Sequence, residues 1–447
     1  MVKKILKNLG YTPLPDGLSM PVELWKSWYE GKVKSFHEYR QYNGKRVLRR
    51  TRKSLSMAKR VCEDWADMIF NEKLQITLPD DRLQREFDKV LADNNFRVSA
   101  NRLLELTFAL GTGAFVEHKT KSGVMIDYIK ADMIYPLSFV NGEITECAFA
   151  SKMMASGEIH TYLNIHIKEN GKYVVINKLI CDRTEREVKL PDGICEKFYT
   201  GSDIPLFQIL VPNVANNIST DSPLGISIFA NAIDVLEGID LVFDSYQNEY
   251  RLGKKRIIVP LTMAKIEMEQ QGDILPVFDD NDTEFYAMSG ADPDNFNISE
   301  INMDIRADAH EVGLQRSIDL LSDLCGFGSG KYNYTSGRIK TATQIVSEQS
   351  DLFRNLKKHE LVAERVIRGV ARSVLYLLGE NPDTEIIVNF DDSIIEDSET
   401  TASRALLEVQ NNIIDAAEYL CRVYKMPRHI AEEKVKLMNL QTPQNEV

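Results

Sequence analysis

A segment rich in glycine and lysine, Gly326–Ile345 (GFGSGKYNYTSGRIKTATQI), carries residue types that bind phosphate groups. A P-loop needs Gly, four residues, Gly, Lys and then Ser or Thr, placed between a strand and a helix. Here Cys325 stands in place of the first glycine, and Tyr332 in place of the hydroxyl that reaches magnesium. The Gly-x-Gly-x-x-Gly pattern of dinucleotide sites also fails, because Lys331 replaces its third glycine and the preceding pattern is helical. The segment is therefore not predicted to bind a nucleotide.

Candidate metal ligands occur only as fragments of known motifs. Two His-Glu pairs, at 310–311 and 359–360, begin like zinc-protease signatures, but neither has the required second histidine. The acidic run 279–284 resembles a calcium loop, yet its sixth position is Glu284, where the sharp turn needs glycine. The six cysteines lie far apart without a Cys-x-x-Cys pair, which is typical of reduced thiols in a cytoplasmically made protein. We therefore expect no metal, no cofactor and no catalytic residue.

The composition indicates a large folded protein with an uneven distribution of charge. The chain has 447 residues, 43% of them hydrophobic, which is material for about three domains, and its net charge is −12. Basic residues concentrate between Lys32 and Arg60, interleaved with Phe36, Tyr39 and Tyr42. This segment either contacts a phosphate backbone, forms a solvated face or pairs with acidic segments of a neighbouring subunit. Neither a signal peptide nor a membrane span is expected, so we predict a soluble protein.

Hydrophobic periodicity predicts an α+β fold that is mainly α. The part up to about Leu110 is predicted to be mostly helical, with amphipathic patterns over Ser54–Phe70 and Arg82–Leu110. From 113 to 212, Ser-Gly and Asn-Gly pairs separate alternating apolar runs, which predicts the hairpins of a sheet or small barrel.

Long helices dominate the second half of the chain. Asp221-Ser222-Pro223 predicts a helix start, and Thr341–Gln344 fits a capping box. The predicted long helices cover 221–253, 303–325 and 341–379, and two closing helices cover about 401–424 and 430–437. Strands are predicted in KRIIVP, ILPVFD, EFYAM and TEIIVNF. The first two helices are expected to run alongside each other, with a small β-module at one end and the glycine-rich segment at the other.

Several long segments, in this order, resemble the portal proteins of tailed bacteriophages, in the branch common among phages of Gram-positive hosts. They are LWKSWYEGKVKSFHEY (24–39), LSMAKRVCEDWADMIFNEKLQI (55–76), SPLGISIFANAIDVLEGIDLVFDSYQNEYRLGKKRIIVP (222–260) and LCGFGSGKYNYTSGRIKTATQIVSEQSDLFRNLKKHE (324–360). The resemblance implies a ring, typically of twelve subunits, around a central channel for DNA. It also implies a structural protein, with the motor ATPase supplied by another chain.

The family plan divides this chain into wing, stem, clip, tunnel loop and crown. The expected regions are a wing over 1–221, a stem helix over 222–252, a clip over 253–302, a second stem helix over 303–325, a tunnel loop over 326–340, a long wing helix and strand over 341–394, and a crown over 395–447. The clip is where the terminase large subunit docks during genome packaging, followed by head-completion or adaptor proteins. The resemblance further implies the major capsid and scaffolding proteins as partners, and a place at the portal vertex of the virion after assembly in the host cytoplasm.

Two sets of residues are candidate contact sites on this plan. In the tunnel loop, glycines give a loop that shifts as DNA passes, cations meet phosphates transiently and tyrosines make van der Waals contact. These residues are Gly328, Gly330, Lys331, Tyr332, Tyr334, Arg338 and Lys340. In the clip, the candidates for partner docking are Lys254, Lys255, Arg256, Asp279, Asp280 and Asp282. An acidic surround suits a channel, because stable cation–phosphate contacts would hold the DNA.

Two other functions compete with the portal hypothesis. A nuclease or NTPase of the packaging machinery would show ATP hydrolysis or a carboxylate–metal signature, and the failed P-loop counts against it. A different head-associated protein would assemble without a terminase site, so binding of the clip to terminase separates the two. An ordinary flexible connection is the alternative for the glycine-rich segment, although 15 residues is long for a link between packed helices.

Overall fold

The computed structural model describes the chain in blocks. They are residues 2–42, 46–71, 74–120, 123–155, 157–191, 193–252, 256–260, 266–268, 274–276, 285–288, 299–301, 304–328, 330–332, 342–390, 405–411, 413–424, 428, 431 and 434–436. For the residues in these blocks that lie between 252 and 301 or between 342 and 350, only the backbone is described.

The described residues form an α+β fold of helices and mostly antiparallel sheets. The helices are α1 (Val2–Asn8), α2 (Val22–Tyr29), α3 (Lys34–His37), α4 (Met57–Ile69), α5 (Asp81–Asp93), α6 (Phe96–Leu110), α7 (Ile233–Leu252), α8 (Ala307–Leu324) and α9 (Ala342–Leu378). Helical residues also cover 405–410 and Ala416–Tyr424. Within the described chain, no helix is long and apolar enough to cross a membrane.

The strands before α7 lie in small antiparallel sheets. They are β1 (Glu38–Tyr42), β2 (Val47–Thr51), β3 (Gln75–Thr77), β4 (Gly113–Thr120), β5 (Gly123–Lys130), β6 (Ile134–Val140), β7 (Glu143–Ala155), β8 (Glu158–Glu169), β9 (Lys172–Cys181), β10 (Arg186–Val188), β11 (Lys197–Tyr199) and β12 (Phe207–Leu210). The largest sheet has the order β10-β9-β8-β7-β6, with β11 also paired to β9, and a second has the order β12-β4-β5. The hairpins predicted between 113 and 212 are confirmed.

Among the described residues, five short strands lie between α7 and α8 in the chain. They are β13 (Arg256–Pro260), β14 (Ile266–Met268), β15 (Ile274–Pro276), β16 (Phe285–Met288) and β17 (Ser299–Ile301). β13 pairs in parallel with β16 and antiparallel with β17, and β14 pairs with β15. A last strand, β18 (Ile387–Asn389), pairs with β3 and so joins the C-terminal half to the N-terminal half.

One large core joins the helices, and two smaller cores cover the main sheet. Trp25, Trp65 and Phe87 are each at most 1% exposed and belong to the large core, which also receives one face of α9. Helix α1 buries Leu6 against the main sheet. Phe149 of that sheet lies 5.4 Å from Phe207 of the second sheet, measured between ring centroids, so the two sheets share a core.

The predicted start of the helix at Asp221 is wrong, because α7 begins at Ile233. The intervening segment instead crosses the end of α6, where the Ile228 amide donates to the Phe108 carbonyl (2.9 Å) and Ile226 is fully buried. The crossing is tight: a Cβ on Gly225 would lie 2.2 Å from the carbonyl oxygen of Gly111. Tertiary hydrogen bonds and burial therefore override the local Ser-Pro start signal.

Other predicted helices are shorter or broken. The helical pattern over 82–110 is divided at Asn95, whose φ is +47°, while the Asn94 side chain bonds β5 through the Val124 carbonyl (2.9 Å) and the Ile126 amide (2.8 Å). The predicted helix over 401–424 is also interrupted, since the Asp415 carboxylate accepts from the Glu418 amide and starts a new helix. The mostly helical N-terminal part contains the hairpin β1–β2, which was not predicted.

Candidate functional site

The glycine-rich segment begins with a left-handed turn at the end of α8. Gly326 has φ +86°, and the Phe327 amide donates to the Ser322 carbonyl (2.9 Å), as in a glycine helix stop. Gly328 and Gly330 also have positive φ values, +77° and +95°. These conformations are accessible to glycine at little cost, so the glycines shape the turn where the chain leaves the helix.

This turn is held between α4 and α9 by aromatic stacking and hydrogen bonds. The Trp65 indole donates to the Cys325 carbonyl (3.0 Å), and its ring stacks on Phe327 with centroids 4.6 Å apart. From α9, the Asn355 amide donates to the Gly326 carbonyl (2.9 Å). Because Trp65 and Phe327 are 0% and 3% exposed, the first part of the segment belongs to the core.

Tyr332 is buried, which separates it from the other predicted DNA contacts. Its side chain is 7% exposed, and its carbonyl accepts from the Gln315 amide (2.8 Å). Burial, and then the nearby Asp64 carboxylate, raises the pKa of Tyr332 well above its usual value. The Tyr332 ring therefore anchors the segment, and the predicted contact between this ring and DNA does not fit its burial. Lys331, in contrast, is exposed, with Nζ 5.8 Å from the Phe327 ring.

Most of the other predicted site residues lie outside the described residues. In the glycine-rich segment they are Tyr334, Arg338 and Lys340, and Thr341 of the predicted capping box lies there too. In the module between α7 and α8 they are Lys254, Lys255, Asp279, Asp280 and Asp282. Arg256 begins β13, where only the backbone is described. Their roles remain predictions.

Helices α7 and α8 run antiparallel, and charged groups join the end of one to the start of the other. Glu249, near the end of α7, accepts from the Arg306 amide (2.9 Å) and from Arg306 Nε (2.7 Å) just before α8. His310 Nε2 lies 3.2 Å from the same carboxylate. These hydrogen bonds, first from the Arg306 amide, lower the pKa of Glu249 to about 2. The predicted pairing of the two helices is confirmed.

The helix pair also exposes large apolar side chains. The residues on α7 and α8 that are 49–57% exposed are Leu241, Tyr250, Val312, Leu320 and Leu324. Apolar groups repeated along two packed helices are typical of surfaces that contact another protein. Sequence reasoning did not identify this surface.

The basic segment Lys32–Arg60 includes the exposed hairpin β1–β2. Two of its aromatic rings contact a cation of the same chain, because the Arg52 guanidinium lies 4.7 Å from the Phe36 centroid and 4.6 Å from the Tyr39 centroid. Stacking of bases on these two rings would require Arg52 to move. The contacts therefore favour a solvated or protein-binding face over a nucleic-acid site.

The His-Glu pairs of the sequence do not form catalytic sites in the described residues. His359 is buried between Trp65 and Phe108, with ring centroids 4.9 and 5.1 Å away, and its Nδ1 accepts from the Asn213 amide (3.1 Å). Burial lowers the pKa of His359 to about 3, so it is a neutral core residue. His310 serves the helix pair through Glu249, as described above.

Comparison with known proteins agrees with this arrangement. A family model described as phage portal protein, SPP1 Gp6-like, matches residues 21–429, which is most of the chain and includes both helices of the pair and the glycine-rich segment. A search of the curated proteins found no match. Members of this family are structural components of the virion, used in genome packaging and as head–tail connectors. The chain therefore belongs to the SPP1 Gp6-like family of phage portal proteins.

Proposed function

We propose that the chain forms a ring, of twelve subunits as in the family plan, around a channel for double-stranded DNA at one vertex of the capsid. The observation that carries this proposal is the antiparallel pair α7/α8, which connects a strand module at one end to the glycine-rich segment at the other. In a ring, the exposed apolar residues of this pair would contact the neighbouring subunit. The family match supports the same assembly.

The regions take the roles expected from the family plan. Residues 253–302 form the clip, where the terminase large subunit docks during packaging and head-completion or adaptor proteins dock afterwards. The helices α7 and α8 form the stem, and residues 326–340 form the tunnel loop. The channel then passes DNA outward during ejection. Assembly takes place in the host cytoplasm with major capsid and scaffolding proteins.

Electron microscopy of the purified chain, combined with its mass from light scattering, tests the ring. We expect rings with a central hole wide enough for duplex DNA, and no ATP hydrolysis by the chain alone. The same measurement is made on chain co-expressed with scaffolding protein, because assembly of the ring can depend on that partner. Monomers or dimers under both conditions would contradict the proposal, and ATP hydrolysis would favour a packaging enzyme.

The tunnel loop is tested by replacing its cations, Lys331, Arg338 and Lys340, with alanine together. We expect rings of unchanged mass that package less DNA or retain it less well, because transient phosphate contacts in the channel are lost. DNase-protected DNA per particle, measured after complementation of a phage that lacks its portal, reports the effect.

A matched control replaces three exposed lysines outside the loop, Lys7, Lys89 and Lys172, with alanine. The net charge then changes by the same amount, and packaging is expected to stay normal. If both triple variants package like the parent, the charges of the loop are dispensable.

A further inference from the structure

A glutamate, a histidine and a cysteine converge at one end of the main sheet, away from the helix pair. In Glu158, His160 and Cys181, one potential ligand atom from each residue lies within 4.8 Å of the other two. The cluster is formed by the first residues of β8 and the last residue of β9. None of the contacts that support the portal function involves these residues.

The strand register brings the three side chains together. His160 and Cys181 are direct cross-strand partners in the antiparallel pair β8–β9. Glu158 lies two positions before His160, and residues two apart on a strand point to the same face of the sheet. The cluster is therefore a product of regular strand geometry.

Burial and hydrogen bonds orient the cluster. Cys181 is 3% exposed and His160 9%, whereas Glu158 is partly exposed and leaves one side open to solvent. Cys181 Sγ lies 3.6 Å from Glu158 Oε2, and the other oxygen, Oε1, accepts from Arg183 (2.8 Å). His160 Nδ1 lies 3.1 Å from the Glu158 carbonyl oxygen, which restrains the ring. Contacts from surrounding groups of this kind orient the ligands in metal sites.

The ligand chemistry selects among the metals. Thiolate, imidazole and a single carboxylate oxygen form a mixed set that suits Zn²⁺, whereas Mg²⁺ and Ca²⁺ prefer oxygen ligands alone. Tetrahedral Zn²⁺ with bonds of about 2.0–2.3 Å places its ligand atoms roughly 3.3–3.8 Å apart. The Cys181–Glu158 separation of 3.6 Å already lies in that range, and an imidazole nitrogen of His160 lies within 4.8 Å of both atoms.

We propose that Glu158, His160 and Cys181 bind one Zn²⁺ ion, with a water molecule as the fourth ligand on the open side. The ion takes the place of the thiol proton between Cys181 and Glu158, and that proton leaves to solvent. No electron transfer is involved. The bound ion links the start of β8 to the end of β9 and so stabilises the end of the sheet.

The test uses the full chain without a histidine tag, treated with a chelator and then titrated with Zn²⁺ by calorimetry and with Co²⁺ by absorption spectroscopy. We expect one equivalent of metal and a thiolate-to-cobalt charge-transfer band in the near ultraviolet. Cys181→Ser is expected to remove that band, and His160→Gln to weaken Zn²⁺ binding by at least about tenfold.

Cys195→Ser is the matched control, because Cys195 is an exposed cysteine outside the cluster. It should leave both the band and the Zn²⁺ affinity unchanged. Absence of the band in the parent chain overturns the proposal, as does a band of equal strength in Cys181→Ser. Circular dichroism checks the fold of each variant, and if Cys181→Ser does not fold, the parent and His160→Gln still decide the question.

Discussion

The two ends of helix α8 are fixed by opposite kinds of interaction. At its start, polar groups meet near the surface, where the exposed Arg306 side chain and the partly buried His310 ring lie on the Glu249 carboxylate of α7, which is 18% exposed. At its end, the chain enters the core, where Trp65 stacks on Phe327 and donates to the Cys325 carbonyl. Buried aromatic packing stabilises by several kcal/mol, whereas exposed ion pairs contribute little and are screened by salt. The start of the glycine-rich segment is therefore more firmly held than the end next to the strand module.

The largest loss of stability is expected from Trp65→Ala, which removes the indole ring that packs at the buried C-terminal end of α8. The free energy of unfolding should fall by about 3–5 kcal/mol, because a large cavity is left in the core. Trp65→Phe keeps an aromatic ring but loses the hydrogen bond to Cys325, and should cost about 1 kcal/mol beyond the change in packing. Urea unfolding of the assembled protein gives both values.

Trp25→Ala separates a general core defect from a local one. Trp25 is 1% exposed in the same core, so its loss should destabilise the chain to a similar extent. Only Trp65→Ala should also increase hydrogen exchange in residues 322–332. Equal exchange there in both variants would contradict the proposed anchor.

A smaller effect is expected at Glu117, a buried carboxyl that lacks the partners seen at Glu249. Glu117, in β4, is 1% exposed, and neither side-chain oxygen has a hydrogen-bond partner among the described residues. The nearby Ser373 hydroxyl donates to the Pro205 carbonyl instead (3.1 Å). Burial therefore raises the pKa of Glu117 well above its usual value.

This raised pKa predicts a pH dependence that Glu117→Gln should remove. The unfolded chain loses the proton at a lower pH than the folded chain does, so stability falls as pH rises above the usual carboxyl range. At about pH 8 the Tm of Glu117→Gln should exceed that of the parent by about 2–4 °C, with no difference near pH 4. Thermal unfolding of the parent and the variant between about pH 4 and pH 8 checks this difference in Tm, and Glu23→Gln, at an exposed position, is the control. A parallel pH profile for the parent and Glu117→Gln would show that the carboxyl is not buried and neutral.

The smallest effect on stability is expected from Glu249→Gln, on α7 beside the start of α8. The depressed pKa of Glu249 gives stability that is present above the usual carboxyl pKa and lost as pH falls towards about 2. At neutral pH the variant should lower Tm only slightly, and the difference should disappear in about 1 M salt, where the Debye length is about 3 Å. A loss of stability as large as that of Trp65→Ala would contradict the conclusion that the start of α8 is held less firmly than its end.

Much of the fold follows from local signals in the sequence. The apolar spacing over 54–70 predicts α4, and Gly379, with φ +89°, ends α9 where the sequence places the stop. Asn-Gly pairs predict hairpin turns, and Asn170 and Gly171 both have the positive φ values of such a turn. These elements succeed because residues close in sequence decide them.

The remaining features depend on residues far apart in the chain. The start of α7 is displaced by contacts between Gly225 and Gly111, and Tyr332 is buried in the same core as Trp65 of α4. The proposed metal ligands also look unrelated in sequence, since His160 and Cys181 have neither motif spacing nor neighbouring cysteines. They pair because they lie at equal distances on either side of the Asn170-Gly171 turn. The strand register implied by the predicted turn at Asn170-Gly171 is the signal that could have identified these two residues as partners.

The glycine crossing before α7 has a consequence for the geometry of the proposed ring. A Cβ on Gly111 would lie 2.5 Å from the Gly225 carbonyl oxygen, and one on Gly225 would lie 2.2 Å from the Gly111 carbonyl oxygen, so the backbone at each position excludes a side chain at the other. This contact, together with the hydrogen bond from the Ile228 amide to the Phe108 carbonyl, holds the segment that leads to α7 against the end of α6. In a closed ring every subunit repeats the same departure angle, so a small error at this point would recur around the whole circle. The bore of the channel would then depend on two glycines that are buried within the subunit.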